Sequence, residues 1–245
     1  MRGIFLKNYY FYKRNFTEII SQFVMSLLQV LPIYLMLVNQ NVSLLDRGGA
    51  VLNYLLACCI LNVIVGVNFE YYREIVQGKD IELKLAGISN FQYALAQTIF
   101  YVILNIFIFL LSLFVVFKFY QIGLFTELNL ITYFELIIYL LVFIFNCVSI
   151  NSVLVMIVKK TSRFSFSSLV CNILLILSGC YNHIDQFQMG IKILCYLNPF
   201  TYFVSYIKSM IGLDVFSFNI YTNIFLYICT SLLLYLVSMK MNNNE

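Results

Sequence analysis

Few residues of this chain are of a type and spacing that could do chemistry. His183 is the only histidine, and with Asp185 it forms a short H-x-D. No serine, histidine and acid set accompanies it, so it reads as structural, and an enzyme acting within a membrane is not expected. The pair Gly78–Lys79 lacks the upstream glycine and the following Ser/Thr of a phosphate-binding loop, so the chain has no ATP-hydrolysing site of that kind. Seven cysteines (Cys58, Cys59, Cys147, Cys171, Cys180, Cys195, Cys229) show no CxxC or Cys/His ligand spacing, so no metal is expected. Most lie in apolar runs, where Cys serves as a small hydrophobe. Cys180 and Cys195 are the pair that could both reach an outer face and form a disulfide.

What does concentrate polar chemistry is "EYYREIVQGKDIELKLAGIS", Glu70 to Ser89. Glu70, Arg73, Glu74, Lys79, Asp80, Glu82 and Lys84 put seven charges into fifteen residues of a chain that is 62% hydrophobic and 11% charged. Soluble domains carry about 25% charged residues. With a mean hydropathy of +0.90, the 245 residues read as one all-α integral membrane domain, since a helix needs about 20 apolar residues to cross a bilayer. Spans are expected at 19–38, 50–69, 95–117, 133–158, 166–181 and 219–239. The basic start (Arg2, Lys7, Lys13, Arg14) precedes an apolar segment too long for a signal-peptide core, so the first span is expected to remain as an anchor. No basic stripe interleaved with aromatics marks a soluble face, and nucleic acid is not an expected partner.

Lys/Arg distribution orients such a protein. With the N-terminus inside, eleven of the fifteen basic residues fall on the inner side and four (Arg47, Lys118, Lys192, Lys208) outside. Both termini are therefore expected in the cytoplasm, in the plasma membrane of the cell. A charge at the centre of a spanning helix costs about 2.5–3.5 kcal/mol, so the 70–89 segment must lie outside the lipid, on the cytoplasmic side.

Within it, Gly78 breaks the chain and Asp80 caps a new helix. Asp80 and Lys84 are paired i,i+4 with the acid first. Ile81, Leu85 and Ile88 share one face, Gly87 suits the helix end, and Ser89 with Gln92 forms a capping box opening the next span. Two readings stand: a solvated loop, or an amphipathic helix over 80–88 that docks a cytoplasmic partner. A second signal is "CYLNPFTYFVSYIKSMIG", Cys195 to Gly212. Asn198 as N-cap with Pro199 at the first helical position starts a helix, with about half a span on either side. This predicts either a re-entrant hairpin buried by protein or an interfacial helix pair with an aromatic belt of Tyr196, Phe200, Tyr202, Phe203 and Tyr206. In the fourth span Asn146 and Ser149 lie one turn apart, with Asn151 and Ser152 beyond, and such groups either bond neighbouring helices or line a pathway. Glu135 is the one carboxylate inside an expected span. It sits near the outer end, where water reaches it, so no charged relay for an ion-driven transporter is present.

Together these stretches resemble the permease subunit of type-2 ABC exporters. The family's E…R…G…E-L pattern is met by Glu70, Arg73, Gly78, Glu82 and Leu83, and "LAGIS" resembles its L…P-x-S turn with Gly87 in place of proline. Ser178 and Gly179 match the end of its fifth span, and Leu197, Asn198, Pro199, Thr201 and Tyr202 match L-N-P-x-T-Y. "YKRNF…LLQVLP" is similar to its amphipathic lead-in and proline-containing first span. The resemblance implies six spans with a cytoplasmic coupling helix formed by the 70–89 segment (Glu70, Arg73, Glu74, Gly78, Lys79, Asp80, Glu82, Leu83, Gly87, Ser89). It implies an outer gate in the hairpin 182–211 (Ser178, Gly179, Asn198, Pro199, Phe200, Thr201, Tyr202). It also implies two permease subunits, as a homo- or heterodimer in membrane lipid, above separate ATPase subunits that use ATP and Mg; this chain itself binds no cofactor. The expected cargo is an amphipathic drug or antibacterial peptide, with a lipid-linked glycan as the rival. A membrane immunity protein that sequesters a peptide without transport is the alternative outside transport.

Overall fold

The computed structural model describes residues 2–14, 16–39, 43–120, 130–161, 163–181, 184, 187–210 and 220–242. Among these there are helices and no strands: α1 Arg2–Arg14, α2 Phe16–Asn39, α3 Leu44–Val76, α4 Asp80–Leu85, α5 Asn90–Tyr120, α6 Leu130–Thr161, α7 Ser165–Leu177, α8 Met189–Leu197, α9 Pro199–Ser209 and α10 Ile220–Asn242. Four are long and apolar enough to cross a membrane, over Arg47–Val76, Asn90–Ser112, Phe134–Thr161 and Tyr221–Lys240. The apolar part of α2, Phe23–Val38, and α7 are shorter. A thirteen-residue α7 rises only about 20 Å, against a hydrocarbon core of about 30 Å. The chain expected as a fifth span through residue 181 therefore leaves the helix at Leu177 and turns at Gly179, where φ is +76°.

α3, α5 and α6 form the centre, with α10 against α6 and with α2 against α3 and α5. Val51, Leu55, Ile60, Val63, Ile64 and Val67 of α3 are buried at 0–2% exposure. The outward faces of α5 (Ile103, Phe107, Leu110, Phe114) and α10 (Tyr221, Phe225, Leu232, Leu236) are apolar and exposed, as lipid-facing helices require. Small residues let membrane helices approach closely. At Gly66 a Cβ would fall 2.5 Å from Cε1 of Tyr101, a ring that is itself 7% exposed. Gly66→Ala is therefore expected to force α3 and α5 apart and destabilise the fold by about 1–3 kcal/mol, the usual range for overpacking. A lowered melting temperature in detergent checks this.

The bundle has two distinct ends. α1, the α3–α4–α5 turns and the α6–α7 corner share one: Phe164 stacks edge-on against Phe69 at 5.3 Å between ring centroids. α8, α9 and the end of α7 share the other.

Candidate functional site

The 70–89 segment splits into two parts of different character. Glu70, Arg73 and Glu74 are not in a connector, because α3 continues without a break to Val76. Glu70 is 7% exposed and Glu74 4%. Arg73 donates to Glu70 at 2.6 Å, and the ammonium of Lys7, on α1, pairs with Glu74. Beside it Asn8 of α1 donates to Gln97 of α5, and Gln97 donates to Tyr93 Oη at 3.2 Å. With Ile4 buried, these bonds fix α1 across the ends of α3 and α5. Of the two readings, a solvated loop does not describe this half, because a helix folded back from the N-terminus covers it.

The second half is exposed. Gln77, Gly78 and Lys79 form a turn, with Gly78 at φ +70°, a left-handed conformation that suits glycine. α4 then runs only to Leu85 rather than 88, one further turn being closed by Ala86 N–H to Glu82 O at 2.9 Å. Gly87 at φ +67° ends it. Ile81 is 59% and Leu85 84% exposed, with Glu82 also open to solvent. The side chains of Asp80, Leu83 and Lys84 lie outside the described residues, so the Asp80 cap and the Asp80–Lys84 pair do too. The capping box is present as read: Gln92 N–H donates to Ser89 Oγ and Ser89 N–H to Gln92 Oε1, both at 3.2 Å. α4 is thus a short knob of apolar and charged side chains held between two glycine turns below α3 and α5.

Lys7 and Glu74 give a direct test of the α1 contact. Lys7→Glu is expected to lower stability by about 1–2 kcal/mol, less than a fully buried pair because the lysine is partly exposed. The swap Lys7→Glu/Glu74→Lys is expected to recover most of that loss, read as melting temperature in detergent.

At the opposite end Asn198 accepts from Phe200 N–H at 3.2 Å, with Pro199 at the helix start. Every residue from Pro199 to Lys208 is buried. Phe200, Tyr202, Phe203 and Tyr206 therefore point into protein and do not form an interfacial belt. Tyr139 of α6 stacks on Tyr206 at 3.8 Å between centroids, and Phe143 on Phe203 at 4.5 Å. Ser178 and Gly179 are buried at the turn after α7. Lys208 is 3% exposed and its ammonium donates to Gly179 O; burial pulls its pKa below the usual lysine range. Cys180 and Cys195 are both free thiols. His183 and Asp185, with residues 182, 186 and 211 of the expected hairpin, lie outside the described residues. No group of three or more His, Cys, Asp and Glu that could hold a metal occurs among the described residues.

Asn146 and Ser149 are fully buried. Asn146 donates to Ser231 Oγ of α10 at 2.9 Å and so joins two helices, whereas Ser149 donates within α6, to Phe145 O. A second network centres on Asn151, which the sequence placed in the same polar cluster, with partners it did not single out. Asn68 of α3 donates to Asn151 Oδ1 at 3.0 Å, and Asn151 to Thr98 Oγ1 at 2.9 Å, joining α3, α6 and α5. Its partners stand 53 and 83 residues apart, so only the isolated amides in apolar helices could have signalled it. A small cleft opens between α3 and α5, lined by Cys58, Asn62, Asn105 and Ser112 among others. Ser112 Oγ is buried there with no hydrogen-bond partner among the described residues.

The family model of the ABC-2 type transporter matches residues 4–211. The chain belongs to this family. No curated protein and no solved structure matches it. An ABC-2 domain is the membrane component of a transporter rather than a catalytic one, and the family implies an ATPase partner and a place in the membrane. The match takes in α1, the charged segment and α9, and stops before α10.

Proposed function

We propose that this ABC-2 protein is the permease subunit of an ATP-driven exporter, with residues 1–245 as one six-span domain in the cell membrane and both termini in the cytoplasm. α2 and α7 join the four longer helices as spans, and residues 182–211 form a re-entrant hairpin at the outer face. Two such subunits, identical or different, enclose the path. A separate ATPase subunit binds ATP and Mg and docks on α4 and its flanks, with Glu70, Arg73, Glu74, Gly78, Lys79, Asp80, Glu82, Leu83, Gly87 and Ser89 as the coupling segment.

The observation that carries this reading is the exposure of α4. A helix with Ile81 and Leu85 open to water leaves apolar surface that a partner groove would cover. Its glycine turns join it to α3 and α5 with no slack loop, so a push on α4 reaches both. The eleven basic residues at that end support a cytoplasmic placement. Motion of α4 would tilt α3 and α5 against α6. Ser178, Gly179, Asn198, Pro199, Phe200, Thr201 and Tyr202 would shape the exit, and Asn146 and Ser149 would reach the path only when α6 and α10 part. The bundle's apolar, aromatic interior and the short length of the outer connections in sequence suit an amphipathic drug or antibacterial peptide.

Inside-out vesicles carrying the chain with its ATPase test this. ATP-dependent, vanadate-sensitive uptake of a fluorescent amphipathic dye or labelled antibacterial peptide is the expected result. No uptake while ATP is hydrolysed, together with a surface-glycan defect on deletion, would move the cargo to a lipid-linked glycan. Peptide resistance that survives loss of the ATPase would replace transport by sequestration.

A further inference from the structure

The last carbonyls of a helix have no partner within it, and leaving them bare at membrane depth is unfavourable. At α7 they are met by side chains from a distant part of the chain. Asn198 Nδ2 donates to Leu174 O at 2.7 Å, and Lys208 Nζ donates to Gly179 O just past the helix. The Thr201 hydroxyl, which has one proton to donate, lies 2.6 Å from Cys195 O and 3.1 Å from Leu177 O. Ser178 Oγ closes Leu175 O locally at 2.7 Å. Asn198, Thr201, Ser205 and Lys208 follow one another at i, i+3, i+7 and i+10, so they form one polar stripe along α9. All four are buried, at 0–4% exposure. An ammonium at this place also faces the negative end of the α7 dipole.

We propose that this stripe is a clasp, and that Lys208 is a positioning residue for transport that holds the end of α7 against α9 at the exit. Asn198 supplies one long-range donor, Thr201 shares its proton between Leu177 O and Cys195 O, and Lys208, two turns beyond Thr201, supplies the other donor and the charge. A spanning helix that ends before the membrane surface is closed in this way by another helix rather than by water. Release of the clasp frees the α7 end and the turn at Gly179, so export requires it to open and reclose. This inference rests on the permease reading, but the clasp itself is read independently of transport.

Cys180, buried beside Gly179, reports on the clasp. In the full chain with its ATPase, Cys180 is kept as the sole cysteine and intact cells are treated with a membrane-impermeant maleimide. Lys208→Met removes the donor and keeps the bulk; Lys208→Arg keeps a donor and the charge. Cys180 is expected to label about tenfold faster in Lys208→Met, a local-opening effect, and near the parental rate in Lys208→Arg, with transport falling in the first and returning in the second. If Lys208→Met fails to reach the membrane, Thr201→Val is expected to give the same direction of change. Equal labelling in parent and both donor-removing variants would overturn the clasp. Faster labelling with no ATP-driven transport in any variant, parent included, would leave the clasp standing and sink the permease reading.

Discussion

Reversing two acids of α4, Asp80→Lys with Glu82→Lys, is expected to abolish transport while leaving the amount of chain in the membrane unchanged. Glu82 is exposed, and none of the described side chains of α4 belongs to the buried core, so the fold is expected to lose little: exposed charge changes are usually within about 0.5 kcal/mol. What changes is the surface offered to a partner. Two acids becoming two lysines shift its charge by four units, and placing like charges across an interface costs several kcal/mol. The contrast with Glu70 and Glu74 sharpens the test. Those two are buried and paired, so their reversal would damage the fold and reveal nothing about docking. Transport at the parental rate in the double variant would remove α4 from the coupling role. Lost transport with a normal amount of protein and a normal melting temperature is the outcome the account expects.

The second large effect is expected inside the bundle. Asn151 accepts from Asn68 and donates to Thr98, so Asn151→Ala breaks the bond to α3 and the bond to α5 together. Hydrogen bonds between membrane helices average about 0.6 kcal/mol and reach about 1.7. Two of them, with the space left by the lost amide, put the cost at about 2–3 kcal/mol. The bonds join the three central helices, so the loss should appear as a lower melting temperature in detergent. A double-mutant cycle with Asn68→Ala separates the α3 bond from the rest. Additive losses in that cycle would show that Asn68 and Asn151 do not couple.

Sequence legibility followed the range of each interaction. Several local features could be read: the Ser89–Gln92 box, the Asn198–Pro199 helix start and the turns at Gly78 and Gly87 each depend on residues a few positions apart. The long apolar helices were legible for the same reason, since length and composition set them. The burial of Glu74 was not, because a charge count cannot show that α1 folds back and offers Lys7 across 67 residues. Nor could the aromatic residues of α9 reveal their direction. A row of Phe and Tyr beside a proline fits an interfacial belt or a buried helix equally well, and the stacking partners Tyr139 and Phe143 lie about sixty residues away in another helix. At the early end of α7, Leu174 O and Gly179 O meet donors from Asn198 and Lys208, 24 and 29 residues away, contacts that no local pattern signals.

The central claim is that the motor is another chain docked at the α4 end. A tag after Glu245, extraction in mild detergent and purification with its neighbours test it most directly. The account predicts that an ATPase subunit accompanies the chain, that the complex hydrolyses ATP in a vanadate-sensitive way, and that Asp80→Lys/Glu82→Lys releases the ATPase. An intact, dimeric chain that is repeatedly recovered alone and inert would contradict it and leave α4 as a loop.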